Sequence, residues 1–140
     1  MAGMAFTNTG LCLTHGMAYT FAVKCGLPHG ASVALAEPYV IEFNAPAMPR
    51  KLEVLAAGLG VSTEGLSPRE VGEAIAHRYL ELMKTLGLPM SLEDADIGEE
   101  DLEGLVEDFM TNQSRFLLRN PRHASKEELL GLYRTMLEGY

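Results

Sequence analysis

The chain of 140 residues has little positive charge, little cysteine and no long apolar run, and each shortage excludes something. Lys and Arg number 11 against 19 Asp and Glu, a net charge of −8. No basic patch stands out, since Arg50-Lys51 and the stretch from Arg115 to Arg122 are sparse. Binding to nucleic acid or to an anionic membrane surface is therefore not expected. The only cysteines are Cys12 and Cys25, and the first residues lack the charged n-region of a secretory leader. That combination predicts reduced thiols in a cytoplasmic protein. No apolar run reaches transmembrane length. Alternating apolar and polar residues persist nowhere, and only Ser32 to Ile41 is ambiguous, so strands are not expected. Internal repeats and low-complexity segments are missing as well. Charge is scarcest at the start, where Lys24 is the only charged side chain before Glu37.

What is present is helical periodicity. Residues 3 to 24 are dense in Ala, Met, Leu and Phe and read as one helix, apolar nearly all round and so expected in the interior. Gly26, Pro28 and Gly30 break it. A second helix is predicted from about Ala31 to Phe43, with Pro38 kinking it or opening a new turn. A short helix follows from Arg50 to Leu59, closed by Gly58 and Gly60. Ser67-Pro68-Arg69-Glu70 is a capping box with proline at the first helical position, opening a helix that ends near Gly87. Val71, Ile75, Tyr79, Leu82 and Leu86 share one face of it. Glu99 to Gln113 is acidic and amphipathic, with Leu102, Leu105, Val106 and Phe109 as its stripe. Ser125-Lys126-Glu127-Glu128 is a second capping box, and Leu129, Leu132, Tyr133 and Met136 point inward from the last helix. The fold class is all-α, a single domain forming a compact bundle of about five to seven helices.

Two of the four histidines, His15 and His29, flank the first helix break. His15 is the most polar group in its apolar run, and a buried imidazole needs a partner. His29 follows Pro28, where its ring can turn back along the helix. The pair is either packed and hydrogen-bonded to neighbours or shares a metal such as Zn²⁺ or Fe²⁺. Cys12 lies three residues before His15 and Cys25 four before His29, so the four could imitate a Cys₂His₂ zinc set. The spacing fits no standard structural-zinc pattern, and a free cysteine in an apolar helix is usually a small hydrophobe. Helical separation also argues against a Cys12–Cys25 disulfide. His77 and His123, in polar contexts, read as ordinary structural residues.

The run Ala2-Gly3-Met4-Ala5-Phe6-Thr7-Asn8, with Gly10-Leu11, Thr14-His15-Gly16-Met17-Ala18 and Pro28-His29-Gly30, resembles the signature of the iron-containing (group III) alcohol dehydrogenases. The resemblance continues through Pro38-Tyr39-Val40, Phe43-Asn44, Glu99 to Leu102, Asn120-Pro121-Arg122 and Leu129 to Tyr133, and covers essentially the whole chain. It implies the C-terminal helical domain of that family, part of a dehydroquinate synthase-like helical fold. In the family this domain holds one catalytic metal, usually iron and sometimes zinc, beside an N-terminal NAD(P)-binding domain. Four ligands are typical: an Asp, a His shortly after it, and two further histidines. The last two match His15 and His29. The resemblance implies that the first two ligands, the Gly-rich nucleotide loop and the dinucleotide domain are absent from this chain.

Two departures stand inside the matched region. The family's relay histidine, four residues after the first matched ligand, is Tyr19 here, and a phenol does not titrate near neutrality as imidazole does. Bulky Phe116-Leu117-Leu118-Arg119 replace a Cys-Thr and two small residues before Asn-Pro-Arg. Phe6 matches an aromatic lining the nicotinamide and substrate pocket, so Phe6 and Tyr19 are the implied cofactor contacts. The implied function is half of a metal-dependent, NAD(P)-linked alcohol dehydrogenase, with weak or partial metal occupancy and no hydride transfer in the isolated chain. Its expected partner is a separate N-terminal dehydrogenase half. Two alternatives remain. One is a non-catalytic helical module that forms a homo-oligomer through its uncovered apolar helix. The other is a small metal-binding protein using Cys12, His15, Cys25 and His29.

Overall fold

Gly10, Leu11 and Cys12 interrupt the first apolar run, and two helices form where the pattern predicts one. The structure, a computed structural model, describes the backbone of residues 1–140 and every side chain but that of residue 2. Helix α1 (Ala2–Thr9) ends at Gly10, whose φ of 69° favours glycine, and α2 (Leu13–Cys25) starts after an extended Cys12. The two halves differ in burial. Met4 and Phe6 on α1 stay exposed, whereas Leu13, Met17, Ala18 and Phe21 on α2 are fully buried. Helix α1 satisfies polar side chains locally: Thr7, Asn8 and Thr9 donate to the carbonyls of Gly3, Met4 and Ala5. The expectation of one buried helix over residues 3 to 24 thus fails at a short turn that composition alone disguised.

The remaining helices are α3 (His29–Asn44), α4 (Pro49–Leu59), α5 (Pro68–Thr85), α6 (Leu102–Asp108) and α7 (Lys126–Glu138). Among the described residues there are no strands. Gly26, left-handed at φ 69°, ends α2 and lets the chain turn back into α3. Helix α3 runs through Pro38 without a break. The capping boxes at Ser67 and Ser125 both form, each serine accepting from the backbone N–H of the glutamate three residues on. Helix α3 is the axis of the fold and packs against α2, α5 and α7. One core joins α2, α3, α6 and α7 around Phe21, Leu35, Phe109, Leu129 and Tyr133. A second, smaller core joins the end of α3 to α4 and α5 around Ile41, Leu52, Val71 and Ile75.

The inner face of α5 is not the predicted stripe. Val71 and Ile75 are buried as expected, but Leu82 and Leu86 are exposed, while Gly72, Ala76, Leu80 and Met83 face inward. Close packing is the reason. A Cβ on Gly72 would sit 2.5 Å from the Cβ of Ala45, so α5 approaches the end of α3 through its small residues. The α6 stripe of Leu102, Leu105, Val106 and Phe109 is buried as predicted, and so are Leu129, Leu132, Tyr133 and Met136 of α7. Helix α6 then loosens into a π-helical turn over Phe109–Gln113 and a 3₁₀ turn over Ser114–Arg119. Among the described residues no helix is long and apolar enough to cross a membrane.

Candidate metal centre

The α2–α3 corner brings the predicted pair together. His15 is the third residue of α2 and His29 the first of α3, and their ring centres are 5.6 Å apart with planes at 55°. Burial and the neighbouring His29 both hold the His15 imidazole below its ordinary value, burial being the larger cause, so the neutral ligand form is favoured. Two imidazoles on one tetrahedral ion, each bound at about 2.1 Å, have ring centres about 5.3 Å apart. The observed spacing fits a shared ion held by this pair. Among the described residues no third His, Cys, Asp or Glu joins them. The pair alone is two donors, fewer than the three or four protein ligands of a stable zinc site.

Tyr19, one turn after His15 on the same helix face, completes a triangle of rings. It stacks on His29 at 5.5 Å and meets His15 edge-on at 6.5 Å. Phe116, from the 3₁₀ turn, also stacks on Tyr19 at 5.7 Å, and the Arg115 guanidinium lies 4.7 Å from the Phe116 ring centre. Gly16 permits this packing. A Cβ there would lie 2.6 Å from the Phe109 ring and 3.1 Å from Phe116. The sequence flagged Phe116 as bulky without revealing that it backs Tyr19. The signal for Gly16 was its place directly after His15. Phe6, the other implied cofactor contact, is 56% exposed on α1 and stands outside the ring cluster.

The four-residue Cys₂His₂ set is not assembled. Cys12 and Cys25 are free, half-buried thiols, and burial pushes both above the ordinary cysteine value, away from the thiolate a zinc site needs. The reading of the chain as a small four-ligand metal protein is therefore corrected: two cysteines sharing the helical pattern with two histidines do not share their site. His123 is exposed, and His77 is exposed with its ring edge-on to Tyr140 at 5.1 Å.

Behind the site, Asn120 ties three segments. Its Oδ1 accepts from the Leu13 backbone N–H (3.4 Å) and from Asn44 Nδ2 (3.0 Å), and its Nδ2 donates to Asn44 Oδ1 and to the Arg122 carbonyl. Arg122 continues the network, donating to the Phe43 carbonyl (3.2 Å) and Glu128 (2.5 Å) while stacking 4.0 Å above the Phe43 ring. The start of α2, two residues before His15, is thereby fixed to the end of α3.

Fold and geometry define an all-helical domain carrying an imidazole pair suited to part of a metal centre. The chain belongs to the iron-containing alcohol dehydrogenase family: residues 1–137 match the family described as "Fe-containing alcohol dehydrogenase family, C-terminal". It is 34% identical over 139 residues to lactaldehyde reductase of Escherichia coli (strain K12), covering 96% of this chain and 35% of that protein. It is 31% identical to 1,3-propanediol dehydrogenase of Citrobacter freundii, covering 96% of this chain and 34% of that one. An alcohol dehydrogenase from Oenococcus oeni superposes with a TM-score of 0.86 at 32% identity, over 99% of this chain and 35% of that structure. The chain thus spans about a third of the length of these relatives.

Proposed function

We propose that this chain is the metal-holding helical part of an NAD(P)-linked alcohol dehydrogenase that interconverts a short alcohol and its aldehyde. The observation that carries the reading is the facing pair His15 and His29 at 5.6 Å, set in a chain of this family. In such an enzyme a bound iron or zinc ion supplies a Lewis acid for the alcohol oxygen. His15 and His29 would hold that ion, and the remaining ligands and the nicotinamide would come from a nucleotide-binding part matching the rest of the relatives' length. Tyr19 and Phe116 form an apolar wall beside the pair that keeps water from one side of it. With tyrosine where relatives of this type are expected to carry a relay histidine, proton transfer here falls to water or to a group on the nucleotide-binding part. Phe6 lies on α1 and would reach a nicotinamide only as that part docks.

The test is reconstitution. The chain is combined with the nucleotide-binding part of a related dehydrogenase, loaded with Fe²⁺ or Zn²⁺, and assayed for NAD(P)H formation. 1,3-Propanediol, named for one relative, is the first alcohol to try, and lactaldehyde, named for another, is tried in the reverse direction by NAD(P)H consumption. Activity lost on His15→Ala or His29→Ala supports the reading. A complex that forms, takes up metal and still shows no turnover with any short alcohol sinks it.

A second reading rests on α1, where Met4 is 73% and Phe6 56% exposed on a helix with no charged residue. Such a face is covered by a partner more often than left to water. A homo-oligomer formed through α1 would dissociate on Met4→Lys with Phe6→Lys; a chain that sediments as a monomer across a wide concentration range rules it out.

A further inference from the structure

Four groups are linked by successive ring contacts from the 3₁₀ turn to the start of α3. The Arg115 guanidinium covers Phe116 at 4.7 Å, Phe116 stacks on Tyr19 at 5.7 Å with planes at 30°, and Tyr19 stacks on His29 at 5.5 Å with planes at 24°. The His29 end of this series is the exposed one. His29 is exposed at the first position of its helix. His15, the third residue of α2, is half-buried. The Phe116 end is the buried one: Phe116 is 8% exposed and pressed on the α2 backbone through the Cβ-less Gly16. Tyr19 therefore connects a buried ring to an exposed one.

We propose that Tyr19, backed by Phe116, is a positioning residue that fixes the ring plane of His29 so that its imidazole and that of His15 address one point. The proposal rests on the reading of His29 as a metal ligand, and it gives the phenol at position 19 a role that requires its face rather than its hydroxyl. A ring face of that size in near-parallel contact restricts imidazole rotation about its side-chain bonds, and stacked aromatic pairs are favoured beyond simple area burial. A ligand held in one rotamer loses less freedom when it coordinates. Groups that orient a metal-bound imidazole without touching the ion commonly change metal affinity by about 10–100-fold.

The test uses the full chain and two readouts. Side-chain NMR relaxation of ¹³C-labelled histidine reports how ordered the His29 ring is without any metal. Co²⁺ titration followed by visible absorption reports the affinity of the pair. Tyr19→Phe keeps the face and is expected to leave both readouts at the wild-type level. Tyr19→Leu keeps bulk without the face; it should loosen the His29 ring, leave the His15 ring ordered and weaken Co²⁺ binding about tenfold. The Tyr19→Leu effect on Co²⁺ should vanish in a His29→Ala background. A His29 ring equally ordered in wild type and Tyr19→Leu overturns the proposal, as does a Tyr19→Phe variant that behaves like Tyr19→Leu. If the ring loosens as expected while wild type takes up no Co²⁺, positioning stands and the metal reading falls.

Discussion

The two ends of α3 treat polar groups in opposite ways. At its C-terminal end Asn44, Asn120, Arg122 and Glu128 are joined to one another and to backbone, and the network closes on itself. At its N-terminal end His29, His15 and Tyr19 meet only through ring contacts, on the side of the molecule where His29 is open to solvent. Closed networks fix a fold, because each buried group already has its partner. An unclosed set of polar side chains held by apolar packing keeps its bonding capacity for something else. The same helix thus carries a structural joint at one end and an open cluster of rings at the other.

Mutations can be chosen to break that division. The largest effect is expected at the open end: His15→Ala with His29→Ala should lower Co²⁺ affinity by at least about 100-fold, yet shift unfolding free energy by less than about 0.5 kcal/mol each, as for surface changes. Calorimetric titration and urea unfolding of the same samples decide it; a large stability loss would mean that the pair is a joint after all. At the closed end Asn120→Ala should do the reverse. It strands the Leu13 N–H and the Asn44 amide at a cost of about 2–3 kcal/mol, seen as a lower urea midpoint, with Co²⁺ affinity nearly unchanged. Gly16→Ala crosses the division, since its methyl would meet both Phe109 and Phe116. About 1–3 kcal/mol of strain is expected, together with weaker Co²⁺ binding because Phe116 backs Tyr19. A variant that loses stability alone would separate the wall from the site.

The smallest effect is electrostatic. Glu37 lies mid-way along α3, beside Thr14, Cys12 and Tyr79, and burial raises its carboxyl above the ordinary 4.5. The folded chain therefore holds this proton more tightly than the unfolded one. Glu37 costs nothing below about pH 4, and its penalty grows as pH rises from 4.5 through the elevated value, then levels off. Glu37→Gln should match wild type at pH 4 and exceed it at pH 8 in urea unfolding. An identical difference at both pH values would show that the charge is not what is felt there.

How much of this could be read from the chain differs between the same regions. The capping serines, the α6 stripe and the α7 stripe follow local rules, so Ser67, Ser125, Leu102 and Tyr133 fall where periodicity puts them. Pairing of His15 with His29 is legible because one glycine-proline corner separates them. The break at Gly10–Cys12 was not, since a single glycine within apolar residues is compatible with a continuing helix. The α5 stripe failed because Gly72 and Ala76 count for little in an apolar pattern and much in close packing. The Phe116–Tyr19 contact depends on a π-helical turn that shifts the following residues, and no period in the sequence announces one.

The α2–α3 corner also has a kinetic meaning. His15 and His29 are joined by fourteen steps of chain that are helix for most of their length, closed by the left-handed turn at Gly26. Closing so short a loop costs little entropy, and contacts between sequence neighbours form early in folding. Asn44 and Asn120 are 76 residues apart and must wait for most of the chain. The imidazole pair is therefore among the first tertiary features able to exist, while the joint that locks the other end of α3 is among the last.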